Sequence, residues 1–110
     1  MRKFFNVSFL EDVIKFLSNL DEKARTKIIY NIDKASYTQD PELFKKLTEN
    51  IWEFRTSFNK TYYRFFAFWD KSGKADSLVI CTNAIIKKTK KTPLKEIKKA
   101  EKIRLNYISK

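Results

Sequence analysis

Ile51-Trp52-Glu53-Phe54-Arg55, then Tyr62-Tyr63-Arg64-Phe65-Phe66-Ala67-Phe68-Trp69, then Ser77-Leu78-Val79-Ile80-Cys81-Thr82-Asn83-Ala84-Ile85-Ile86 are three runs rich in aromatic and β-branched residues. Such side chains suit a pleated, half-buried surface, so each run reads as a strand. Asp70-Lys71-Ser72-Gly73-Lys74, between the second and third runs, supplies turn residues. Links this short join neighbours in space, and the three strands form an antiparallel meander.

Upstream, Phe4 to Ser8 reads as a first strand. Ser8 and Glu11 have capping-box spacing, which places a helix start near residue 9. Leu10, Val13, Ile14, Leu17 and Leu20 then follow helical period. Asp21 restarts a second helix, with Ala24, Ile28, Ile32 and Ala35 on one stripe and Ile29 beside it. Two helices with almost no loop make a hairpin that covers one face of a sheet. Thr38 to Asn50 is a connector, and Asp40-Pro41 has the form of an N-cap followed by a first-turn proline, predicting a short helical turn at 41–47. Downstream, Thr92-Pro93 opens a last helix to about Ile108, with Leu94, Ile97 and Ala100 inward and Ile103 or Arg104 beside them. The order is β-α-α-β-β-β-α, a single α+β domain over residues 1–110. Its second sheet face is covered by the last helix at most.

Charge is concentrated. The chain carries a net +11. Residues 87 to 104 hold nine basic side chains against Glu96 and Glu101. Such a concentration suits a polyanion, with RNA or DNA first, then an acidic protein or an anionic membrane. The narrow apolar stripe of the last helix argues against the membrane surface. No apolar run approaches the ~20 residues that span a bilayer. The start, Met1-Arg2-Lys3 and an apolar stretch broken by Asn6 and Ser8, lacks the form of a signal peptide.

The chain has no histidine and one cysteine. This excludes zinc sites of the Cys/His type, and Cys-His and Ser-His-Asp catalysis. It also excludes an intramolecular disulfide and fits a reducing cytoplasm. Cys81 reads as a small buried hydrophobe. One glycine cannot build a Gly-rich phosphate loop. The acidic residues are scattered, so no metal or other cofactor is expected.

Arg64 interrupts an aromatic strand, where a charge is costly unless it emerges into a site or finds a partner. Glu53 and Asp76 are the partners in reach. Arg55 ends the preceding strand, and whether it shares a face with Arg64 depends on hairpin register, which a one-residue slip reverses. Two guanidiniums on one face hold a phosphate and stabilise a pentavalent phosphorus centre. Lys87, Lys88, Lys90 and Lys91 are either a solvated loop or a cluster whose mutual repulsion and burial lower one member's pKa toward proton transfer. Phe65, Phe66, Phe68 and Trp69 read as core. Tyr62 and Tyr63 read as candidates for stacking on bases.

Together Ile51-Trp52-Glu53-Phe54-Arg55, Tyr63-Arg64-Phe65-Phe66 and Ile85-Ile86-Lys87-Lys88-Thr89-Lys90-Lys91-Thr92-Pro93 resemble the RelE/ParE toxin superfamily of bacterial toxin–antitoxin modules. The likeness is nearest to its HigB-like, phage-derived branch and extends over nearly the whole chain. The resemblance implies a toxin that enters the ribosomal A site and cuts mRNA by attack of a ribose 2′-OH on the adjacent phosphate. It implies a catalytic set of Arg55, Arg64, Lys87, Lys88 and Lys91, with Arg55 and Arg64 on one concave face. RNA contacts would come from Tyr62, Tyr63, Asn83, Lys90 and Lys95. The implied partners are the 70S ribosome with its mRNA and a cognate antitoxin of the helix-turn-helix type, all cytoplasmic, with no membrane. The chain departs from the pattern at Asn83 and Ile85, where many relatives carry a histidine and an aromatic; proton transfer then falls to a lysine. Two other readings share the topology: a non-catalytic nucleic-acid-binding module and a gyrase-directed toxin of the ParE kind.

Overall fold

The computed structural model describes residues 2–73 and 77–110. The elements run β1 (Asn6–Phe9), α1 (Glu11–Ser18), α2 (Glu22–Thr38), β2 (Phe44–Lys46), β3 (Trp52–Phe58), β4 (Thr61–Asp70), β5 (Leu78–Lys87) and α3 (Leu94–Ile108). Among the described residues they form a mixed α+β structure with one five-stranded sheet, ordered β1-β5-β4-β3-β2. The pairs β2–β3, β3–β4 and β4–β5 are antiparallel, and β1 adds to β5 in parallel.

Two expectations about local structure are corrected. Residues 41–47 hold β2 and no helix. Asp40 does cap, accepting from the Glu42 backbone N–H at 2.9 Å, but only a turn follows. The reason is Phe44: as a strand residue it stacks on Phe54 and Trp52, with centroids at 4.3 and 4.8 Å, while Lys45 and Lys46 stay exposed. The Ser8–Glu11 capping box does not form. Ser8 sits in β1 opposite Ile80, and Leu10 precedes α1 without a side-chain cap. Asp21 caps α2 as expected, accepting from the Lys23 N–H. Of the turn expected at 70–74, the described part shows Asp70, the last residue of β4, accepting from the Ser72 backbone N–H and hydroxyl. Lys74, and the Asp76 considered as a partner for Arg64, lie outside the described residues.

The β3–β4 link sets the position of the site. Asn59 and Lys60 both have positive φ, 53° and 61°, the form of a two-residue primed turn whose twist matches the hairpin. Phe58 therefore pairs with Thr61, and counting back places Arg55 directly opposite Arg64. Further along, the β4–β5 register shifts: Phe66 pairs with Asn83 but Ala67 pairs with Cys81, which leaves Thr82 as an extra residue. A bulge of this kind reverses the side-chain alternation beyond it. Lys87 thereby joins the face of Tyr62 and Arg64, and Ile86 the opposite face.

The two faces bury different cores. Helices α1 and α2 cover one, where Val13, Ile28 and Ile32 meet Phe54, Phe65 and Cys81. Cys81 is fully buried, and burial pushes its thiol pKa up. Helix α3 covers only part of the other face, where Ala100 meets Ile51, Phe66, Phe68 and Ile80. Leu94, expected inward, is 63% exposed, while Ile97 and Ala100 of the same helix do pack against the second core. Ile14 and Ile29 are likewise exposed on α1 and α2.

Candidate functional site

The part of the second face that α3 leaves open carries Arg55 from β3, Tyr62 and Arg64 from β4, and Lys87 from β5. Arg55 and Arg64 share that face as direct cross-strand partners, and Lys87 lies across from Tyr62. Between the arginines sits Glu53, two residues before Arg55 and so on the same side of the pleat. Its carboxylate lies 3.4 Å from Arg55 Nε and 3.6 Å from Arg64 Nε. The Thr92 hydroxyl donates to Glu53 Oε2 at 2.7 Å. Glu53 and Arg64 are 1% and 2% exposed, so this is a buried ion pair.

Arg64 is only partly satisfied. Its Nη1 donates to the Tyr63 carbonyl at a long 3.4 Å, and its guanidinium lies 5.5 Å from the Tyr62 ring centroid. Its Nε, and the Nζ of Lys87, are buried with no hydrogen-bond partner among the described residues. Burial lowers the Arg64 pKa, with Glu53 opposing and Arg55 reinforcing the shift. An arginine remains a cation regardless. The Lys87 ammonium is held below the usual lysine range, first by burial and then by Arg64; Glu53 opposes, and Arg55 and Lys91 reinforce. Unpartnered donors in so dry a place are costly, and sites that bind or react are where such costs persist. An anion with several acceptor oxygens would satisfy both.

Beside the cluster lies a cleft of about 210 Å³, walled by Arg55, Ser57, Tyr62, Arg64 and Lys90, with Asn31, Glu42 and Leu43 opposite. Lys88 and Lys91 are exposed, the latter close enough to Lys87 to affect its proton. Lys95 is exposed on the first turn of α3, outside the cleft wall. A larger cleft, about 540 Å³, is bounded by Trp52, Trp69, Asp70 and Arg104, and two of its charged side chains are already engaged. Arg104 is bidentate to Glu101, and Asp70 accepts from Ser72 and Tyr107.

Two residues expected at an RNA surface do other work. Tyr63 is 8% exposed and packs in the core under α1 and α2, because strand alternation gives Tyr62 and Tyr63 opposite faces. Asn83 is 4% exposed; its amide donates to the Glu96 carbonyl and carboxylate, and its oxygen accepts from Thr82. It fastens β5 to the start of α3. Sequence reasoning weighed Glu53 only as a partner and Thr92 only as a helix opener. The signal for Glu53 was present, since period two places residues 53 and 55 on one face. None existed for Thr92, whose contact spans 39 positions of sequence.

Among the described residues no helix is long and apolar enough to cross a membrane, and no acidic or cysteine residues group as metal ligands do. No curated protein and no solved structure matches the chain. A family described as phage-derived protein Gp49-like matches residues 15–104, which include every strand but β1 and all the residues of the cluster. The chain therefore belongs to the Gp49-like family of phage-derived proteins (DUF891), a toxin-like family of the RelE/ParE-like superfamily.

Proposed function

We propose that this chain, as one toxin domain of the HigB kind, cuts mRNA on the ribosome without a metal ion and so stops translation. The observation that carries the reading is the buried Nζ of Lys87, without a hydrogen-bond partner among the described residues, on the same face as Arg55 and Arg64. Cleavage by internal transfer needs three things: a base for the ribose 2′-OH, positive charge around the phosphorane, and a proton for the departing 5′-oxygen. A lysine whose charged form is disfavoured gives up its proton more readily than a free one, which suits it to act as a general base. Lys87 takes the 2′-OH proton, the O2′–P bond forms, and the P–O5′ bond breaks. Arg55 and Arg64 hold the non-bridging oxygens as charge builds. Lys88 or Lys91, both exposed ammoniums, return a proton to O5′, which leaves a 2′,3′-cyclic phosphate and a 5′-hydroxyl. Tyr62 and Lys90 line the approach of the strand.

A toxin of this family implies an antitoxin, and we assign that role to a helix-turn-helix protein. Induced expression of the chain alone should arrest growth, and Arg64→Ala should relieve the arrest while the purified variant remains folded. Full toxicity of Arg64→Ala would remove Arg64 from the mechanism. Arrest with slowed gyrase supercoiling and intact mRNA would favour a gyrase-directed toxin instead. One observation favours a non-catalytic RNA-binding module: Glu53 already neutralises part of the arginine pair. Tight, salt-sensitive RNA binding without strand scission would select that reading.

A further inference from the structure

We infer that Glu53 is a positioning residue, whose carboxylate aligns Arg55 and Arg64 on the open sheet face and, through Thr92, anchors the lysine loop beside them. The inference rests on the reading of this cluster as the place where a phosphate is handled.

Arg55 and Arg64 are directly opposed on neighbouring strands, an arrangement in which like charges repel. Left alone, the two guanidiniums would swing apart. Glu53 prevents this with a division of labour between its oxygens. Oε1 faces Arg55, while Oε2 faces Arg64 and accepts from Thr92. With both oxygens engaged and 1% exposure, the carboxylate has no free edge for a substrate, so it acts through its neighbours. Its distances to the arginines, 3.4 and 3.6 Å, are those of ion pairs rather than tight hydrogen bonds. The guanidiniums therefore keep donor capacity for a second anion.

The Thr92 contact extends the effect to the loop. Residues 88–91 run from Lys87, at the end of β5, to Thr92, just before Pro93 and α3. One end of this loop is fixed by the buried Lys87 and the other by the hydroxyl on Glu53. Lys90 between them walls the cleft. Glu53 is thus the common attachment of both arginines and the loop. It is also the one anion among the charges felt at Lys87, which are Arg64, Glu53, Arg55 and Lys91, with Tyr62 as the cross-strand neighbour.

The test uses the full chain with ¹⁵N-labelled arginine and ¹³C-labelled lysine. Glu53→Gln keeps shape and an acceptor for Thr92 but removes the charge. Wild type should show a persistent Nε–H resonance from the buried Arg64, identified by its absence in Arg64→Lys. Glu53→Gln should lose that resonance and lower the titration midpoint of Lys87, with a native far-ultraviolet spectrum. An Arg64 resonance and a Lys87 midpoint both unchanged would overturn the inference. Should Glu53→Gln fail to fold, Thr92→Val decides: the backbone amides of 88–91 must shift while the Arg64 resonance stays, and unmoved amides refute the anchoring. None of these signals needs RNA cleavage. A wild-type chain that cuts no RNA thus refutes the proposed activity and leaves Glu53 to be judged by the spectra. Where wild type does cut, Glu53→Gln should lower kcat by about tenfold or more without raising KM, since losing a negative charge does not weaken attraction to phosphate. An unchanged kcat would contradict the positioning role.

Discussion

Among the described residues, Lys87 Nζ and Arg64 Nε are buried donors without a hydrogen-bond partner, and the cost at Lys87 has a measurable sign. Burial holds the Lys87 ammonium below the usual lysine range, so the folded chain binds that proton less tightly than the unfolded one. The unfolded state then holds more protons between the lowered folded value and about 10.4, and stability rises with pH across that window. Below the window the full penalty is present. Lys87→Met should therefore raise Tm most at the low end of the pH range, by about 5 °C, and the gain should shrink as pH climbs toward 10. Thermal unfolding of both chains from pH 6 to 10 measures it, and a destabilised Lys87→Met would mean that the ammonium is well partnered. A residue that weakens the fold where it stands is what an active lysine should look like. Little of this was legible from residue types. The cluster of lysines was plain, but which one is buried depends on a single extra residue at Thr82, and strict alternation from Ile80 would have turned Lys87 to the other face.

At the scale of elements, the hairpin of β3 and β4 decides whether there is a site. Its turn, Asn59-Lys60, contains no glycine, yet both residues adopt left-handed backbone. Lysine pays for that conformation with about 1 kcal/mol of steric strain. Lys60→Gly should stabilise the chain by about that amount, readable in urea unfolding as a higher midpoint at constant slope. A lower midpoint would mean that the lysine side chain makes a contact worth more than the strain. The same turn explains why the shared face of Arg55 and Arg64 was undecidable from their strands alone: register follows turn length, and without glycine the turn gave no signal. The strand runs at 51–55, 62–69 and 77–86 were legible because aromatic and β-branched residues dominate them. They appear as Trp52–Phe58, Thr61–Asp70 and Leu78–Lys87. The three-residue β2 was not, because Asp40-Pro41 is an equally good helix start and only a distant aromatic partner decides against it.

For the molecule as a whole, the sheet divides labour between its faces. One is covered by α1 and α2. The other is partly covered by α3, with Asn83 fastening the helix where an RNA contact was expected. The net charge of +11 gives general attraction to RNA, and the open face gives it a place to act. On single-stranded RNA each phosphate contact contributes about 0.7 to the slope of log affinity against log salt. Lys90→Ala, which alters the cleft wall without touching the buried cluster, should reduce that slope by about 0.7, whereas loss of Lys34 on α2 should leave it unchanged. Equal effects of the two would mean that binding is spread over the surface.

The central claim is that Lys87, beside Arg55 and Arg64, moves a proton during mRNA cleavage on the ribosome. The most direct measurement is primer extension on a defined mRNA in a reconstituted bacterial translation system, with wild type and Lys87→Met compared at equal concentration, with and without ribosomes. The account predicts cuts by wild type only when ribosomes are present, and a loss of about a hundredfold or more in Lys87→Met, which should still be folded. Undiminished cutting by Lys87→Met, or no cutting by a folded wild-type chain, would contradict it.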